Sequence, residues 1–189
     1  MVNIDKEKIV FTSVEFNSYK ARFKNIYNLD EIFKIYQDYS DRTLELINYQ
    51  KDVVDLIDTS ADLNTTEFVE KSREDEKRFN SLGSIKNYHA LLIKNEFINI
   101  LLSNDNFENS KSKLLKRLKN RVKSLKRIKS DDIFSLYINS ITSLYDPHTN
   151  YLSPKSQEDF EINMSLSLEG IGAILSTEDG ITKIAVSYT

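Results

Sequence analysis

The 189-residue sequence has no cysteine, no tryptophan, two prolines and four glycines. Without cysteine, disulfides, thiolate nucleophiles and zinc–thiolate sites are excluded, and the redox compartment leaves no mark. No apolar run approaches the roughly 18 residues of a membrane-crossing helix, so no transmembrane segment is expected. The opening Met-Val-Asn-Ile-Asp-Lys-Glu-Lys lacks the apolar core of a signal peptide, so a chain made as written would stay in the cytoplasm. Charge is close to balanced, with 26 basic and 29 acidic residues and a net charge of −3. No global field therefore calls for nucleic acid or an anionic surface. A hydrophobic content of 40% with 29% charged residues fits a globular domain rather than a disordered one.

The few backbone breakers are unevenly placed. Before Asp146 there is no proline and a single glycine, Gly83. Both prolines lie in "DPHTNYLSP", residues 146–154, and the other three glycines follow it. Because Gly and Pro punctuate regular structure, the first 145 residues read as helices. From Leu29 apolar or tolerated positions recur at three and four: Leu29, Ile32, Tyr36, Tyr39, Thr43, Leu46, Gln50, Val53 and Ile57. Phe33, Ile47 and Val54 widen this seam, which predicts a helix of roughly eight turns. A coiled-coil dimer is one reading. A long helix inside an all-α domain suits the diluting Thr43 and Gln50 and the wide stripe better. The polar stretch 58–84 reads as a loop with a short helix over 65–79. The next segment, "IKNYHALLIKNEFINILL", is apolar almost all round and should be central. It carries His89, with no second ligand at i+3 or i+4, so His89 reads as a hydrogen-bonded core residue and no metal or cofactor is expected.

Residues 111–129, "KSKLLKRLKNRVKSLKRIK", hold ten basic residues and no acidic one. Leu114, Leu118, Val122, Leu125 and Ile128 form one helical face. A basic amphipathic helix can serve nucleic acid, anionic lipid or a calmodulin-like partner. It can equally be a core-facing stripe with a solvated back, and the 16 basic against 29 acidic residues elsewhere supply neighbours for pairing. In "SDDIFSLYINSITSLY", Ser130 is the expected cap, Asp131 and Asp132 favour the first turn, and Phe134, Tyr137 or Ile138, Ile141 and Leu144 face inward.

At the breaker-rich stretch, Asp146 is a good N-cap and Pro147 a good first helical residue, so "DPHT" can stop one helix and begin a new turn, and Ser153 with Pro154 repeats the device. Asp146, His148 and Ser153 are also the residue types of a nucleophilic triad. They sit within one turn-rich segment with no oxyanion hole in sight, so Asp146, Pro147, His148, Thr149, Ser153 and Pro154 read as structural, their polar side chains satisfying backbone groups. After Met164 the period becomes 2. "IGAILSTEDGITKIAVS" reads as two strands joined at Asp179-Gly180, a hairpin signal. The fold class is mostly α: a helical domain (1–145), a junction with a short helix (146–165) and the start of a β domain (166–189).

The strings "DPHTNYLSP" and "MSLSLEGIGAIL", in this order and spacing, resemble the run that joins the N-terminal helical domain to the PDZ domain in tail-specific proteases, also called C-terminal processing peptidases. The resemblance is firm over 130–175. It extends upstream through "KIVFTSVEFNSY", the long helix and the basic segment. It departs over 58–84, where the family's tryptophan-proline element is absent. It implies an exported, periplasmic serine-type peptidase with a Ser–Lys pair downstream of "EGIGA", acting on proteins or peptides with free C-termini, with an adaptor protein as a candidate partner. It implies no nucleic acid partner and leaves the oligomeric state open. Gly170, Ile171, Gly172 and Ala173 then match a loop whose backbone N–H groups hold a peptide's C-terminal carboxylate. On spacing alone the two glycines would only shape a bend. The 189 residues are expected to be a fragment: scaffold plus an incomplete PDZ start, inactive by themselves. The alternative is a stand-alone helical protein-interaction module.

Overall fold

The computed structural model describes residues 4–22, 28–58, 66–70, 72–103, 106–165, 173–178 and 181–187. These residues contain six helices: α1 (Ser13–Arg22), α2 (Leu29–Asp55), α3 (Leu82–Leu101), α4 (Phe107–Arg127), α5 (Ser130–Tyr145) and α6 (Pro154–Ser165). Two strands follow, β1 (Ala173–Glu178) and β2 (Ile181–Ser187). Contacts divide the chain into two compact units, 1–128 and 129–189.

In the first unit α2, α3 and α4 pack pairwise on one another. Their shared core is Ile47, Val54 and Ile57 from the α2 end, Ile93, Phe97 and Ile100 from α3, and Leu114 and Leu118 from α4. The seam along α2 therefore serves this bundle. Its buried positions are Ile35, Leu46, Ile47, Gln50 and Val54, so Ile35 joins the core from outside the expected seam while Leu29 is exposed at the helix start. Asn28 caps α2, Ser81 caps α3 and Asn106 caps α4, each accepting a hydrogen bond from the N–H three residues on. Lys111 of α4 donates to the Asp55 and Ile57 carbonyls (3.1 and 3.2 Å), which satisfies acceptors at the C-terminal end of α2.

An ordered N-terminal segment is tied to this bundle by polar contacts. The Asp5 carboxylate accepts from the backbone N–H of Ile9, Val10 and Phe11 (2.9, 3.2 and 3.1 Å). Arg78 pairs with the same carboxylate, donates to the Asp5 carbonyl at 3.2 Å and lies over the Phe16 ring. Thr12 and Glu15 form a reciprocal capping box at the start of α1, with the Thr12 N–H to Glu15 bond at 2.8 Å. Arg42 of α2 reaches Glu15 at 2.8 Å. Burial works against the Glu15 charge, yet the Thr12 donors and Arg42 outweigh it and hold the carboxyl below its usual range.

The short helix expected over 65–79 is not found among the described residues of that stretch. Turns stand there instead, held by bonds to the N-terminal segment and by one local bond. Arg73 N–H donates to Glu7 at 2.6 Å, Arg73 Nη2 to the Lys77 carbonyl at 2.9 Å, and Lys8 to the Glu76 carbonyl at 2.7 Å.

In the second unit the N-cap of α5 is Lys129, and Ser130 is the first helical residue. The cap bond runs the other way from the expected one: Asp132 accepts the Lys129 N–H at 2.9 Å. No residue of α5 is fully buried, and Leu144, expected to face inward, is 83% exposed. Strands β1 and β2 pair antiparallel with Ala173 opposite Ser187, and the register shifts between Ile174 and Leu175.

Candidate functional site at the helix-to-strand junction

The stretch 146–154 is built by α5 and by its own side chains. Asp146 ends α5 in extended backbone, its N–H donating to the Thr142 carbonyl at 3.0 Å. Its carboxylate then accepts from the His148 N–H and from the Thr149 hydroxyl, both at 2.9 Å. The Thr149 N–H returns to the Asp146 carbonyl at 3.1 Å. Asp146 is thus the C-cap of α5 and not the start of a helix: its carboxylate closes a turn over Pro147, whose missing N–H costs nothing there. The His148 donor, followed by the Thr149 hydroxyl, holds the Asp146 carboxyl below its ordinary value of 3.8.

Farther along, Asn139 on α5 meets the backbone of Tyr151 twice. Its Oδ1 accepts the Tyr151 N–H at 2.6 Å, and its Nδ2 donates to the Tyr151 carbonyl at 3.2 Å. The Tyr151 ring stands edge-on to Phe134 at 5.7 Å between centroids. Sequence reading missed Asn139. The signal was an amide in an apolar helical stretch, "YINSI", where a poor helix former needs a partner. Ser153 then caps α6: it accepts the Ser156 N–H at 3.3 Å, its hydroxyl meets that of Ser156 at 2.9 Å, and Pro154 is the first helical residue.

This geometry does not assemble a triad. The bond between His148 and Asp146 comes from the histidine backbone, not its ring, and the Ser153 hydroxyl is engaged with Ser156. Gly170, Ile171 and Gly172 lie outside the described residues. Ala173 begins β1.

Two other candidates take definite places. His89 is buried in α3, where its Nε2 lies 3.1 Å from the Ile9 carbonyl and its Nδ1 3.1 Å from Gln50 Nε2 on α2. A carbonyl requires a donor, so Nε2 carries the proton and Nδ1 accepts from the Gln50 amide. Burial, as the leading cause, pushes His89 below its ordinary value of 6.5, and the neutral ring is the one whose bonds are satisfied. Among the described residues no group of three or more His, Asp or Glu side chains gathers as a metal site. On α4, Leu114 and Leu118 are fully buried, while Ile128, the residue that ends the helix, is 42% exposed. Arg117 and Arg121 both reach Glu96 of α3, at 3.3 and 2.7 Å. No described helix is long and apolar enough to cross a membrane.

The described residues are thus a helical bundle in the first unit and, in the second, two helices joined by a cap-and-turn segment and followed by a strand pair. The family profile described as "Tail specific protease N-terminal domain" matches residues 1–155, and the chain belongs to that family. It is 34% identical over 152 residues to a tail-specific protease of Haemophilus influenzae, an alignment that covers 80% of this chain and 21% of the relative. The chain thus spans about a fifth of the length of that curated relative.

Proposed function

We propose that these residues form the scaffold of a periplasmic, serine-type tail-specific protease and lead directly into its PDZ domain. The carrying observation is the family match over 1–155, which runs through the junction turn and up to the cap of α6. In this reading the strands β1 and β2 open the PDZ domain. The stretch Gly170, Ile171, Gly172 and Ala173 supplies backbone N–H groups to the free C-terminal carboxylate of a protein or peptide substrate, which adds beside β1 as a strand. An adaptor protein that delivers substrates is a fitting partner for the helical surface. Against the stand-alone interaction-module reading, Ile47, Val54 and Ile57 at the C-terminal end of the α2 seam are buried in the core shared with α3 and α4.

The chemistry belongs to a Ser–Lys pair that the family places beyond "EGIGA". A polypeptide of these 189 residues is therefore expected to cleave no peptide with an apolar free C-terminus. Incubation followed by mass spectrometry checks this. Cleavage that survives Ser153→Ala but is lost in His148→Ala would return the chemistry to the junction. In the protease that contains this segment, Gly172→Val should weaken binding of a free-carboxyl peptide by roughly tenfold or more, since the added side chain blocks backbone approach. Equal binding of the free-acid and amidated peptides by the unaltered protein would reject the carboxylate loop.

A further inference from the structure

The α4 helix leaves a cationic stripe that neither the bundle nor the proposed protease scaffold uses. Leu114 and Leu118 set its buried face. By the 3.6-residue period Lys119, Lys123, Lys126 and Arg127 lie on the half of the helix facing away from them. All four are exposed. The cations nearer the core are engaged: Arg117 and Arg121 by Glu96, and Lys111 by the carbonyls that end α2. For Lys119, Lys123, Lys126 and Arg127 no ion pair forms among the described residues, although acidic residues outnumber basic ones in the chain. The stripe is thus charge left uncompensated in a protein with a surplus of carboxylates.

We propose that this stripe docks the helical unit on an anionic lipid surface. Three features select that occupant. The stripe lies on the exposed half of a single helix, so it is convex and suits a flat, extended anion rather than a peptide that needs a groove. It consists of lysines with one arginine, hydrated point charges suited to diffuse attraction rather than to bidentate readout of one phosphate. It carries no aromatic side chain on which a base could stack, which disfavours single-stranded nucleic acid. Since the rest of the chain is net acidic, only an approach with this face toward the surface is attractive, so the contact also orients the molecule. Each cation within a Debye length of an anionic leaflet contributes roughly fivefold in partitioning, and the attraction fades as salt shortens that length.

Vesicle sedimentation of the full 189-residue chain tests the inference. Vesicles of equimolar phosphatidylglycerol and phosphatidylcholine should bind it at low salt and release it at high salt, and pure phosphatidylcholine vesicles should not bind it. The quadruple variant Lys119→Gln, Lys123→Gln, Lys126→Gln, Arg127→Gln should lose binding by roughly a hundredfold or more. A control variant with Lys20→Gln, Lys34→Gln, Lys77→Gln and Lys155→Gln removes the same charge from other exposed sites and should bind much as the unaltered chain does. Circular dichroism of both variants establishes that the helices persist. Equal losses in the two variants, or no loss in the first, would overturn the assignment to this stripe. Retention on an RNA or a polyglutamate column at salt concentrations that release the vesicles would replace lipid by that polyanion.

Discussion

At the scale of single residues, the polar side chains that matter here are those with two simultaneous tasks. Asn139 satisfies both backbone groups of Tyr151, so it fixes the loop after the turn as a neighbouring strand would. Asn139→Ala leaves both groups to water and is expected to destabilise the second unit by about 1–2 kcal/mol. Asn139→Asp keeps the acceptor and loses the donor, and should fall between the two in urea titrations. His89 joins the N-terminal segment, α2 and α3 through a neutral ring. Asp5 favours its protonation and Arg121 opposes it, but burial is the larger influence and the folded-state value is lowered. The unfolded chain therefore binds the proton more readily. The contribution of His89 to stability is complete above its unfolded value of about 6.5, declines as pH falls from there toward the folded value, and levels off below it. Thermal melting across pH should show this decline in the unaltered chain and not in His89→Gln. Parallel profiles would mean that the ring is not held neutral.

Among the elements, α4 shows how a charged sequence can still be a core helix. Leu114→Ala or Leu118→Ala opens a cavity at a fully buried position and should cost about 2–5 kcal/mol. Leu125→Ala, at a partly exposed position on the same stripe, should cost about 1 kcal/mol or less. Chemical denaturation of the three variants checks the gradient, and similar losses at all three would show that the whole stripe is buried. Periodicity made α2, α3 and α4 legible because apolar spacing is a local property of the sequence. It could not show that Ile35 would replace Leu29 in the core, since that depends on where the neighbouring helices end. Nor could it show the turns over 72–79. There Arg73, Arg78 and Lys8 bond to residues more than sixty positions away, and nothing local announces such partners. The expected helix lost because these backbone carbonyls and N–H groups found long-range partners instead. At the junction the prolines and Asp146 were readable as a cap-and-turn device, while the role of Asn139 lay in a contact twelve residues away.

At the scale of the whole molecule, the described core is that of the first unit. Among the residues whose burial is described, every fully buried hydrophobic one lies in 1–128, and α5 and α6 bury none completely. Among the described residues the sheet contains two strands, so each has an edge with no ladder partner there. A two-stranded hairpin is marginal in water, because few backbone bonds must offset the entropy of ordering both strands. Amide exchange should therefore be uneven. The amides of α3, where Ile93 and Phe97 are fully buried, should exchange near the limit set by global unfolding of the first unit. Those of Ile174 and Val186, which face each other in the hairpin register, should exchange faster by orders of magnitude. Ending the chain after Ser165 should leave the melting of the first unit unchanged, since its core draws on residues up to Leu118 and the partly buried Val122. If Ile174 and Val186 instead exchange as slowly as the α3 amides, the hairpin is held by more than its own pairing. The strands would then be part of a self-sufficient fold rather than the opening of a domain completed elsewhere, and the proposed handover to a PDZ domain would lose its physical basis.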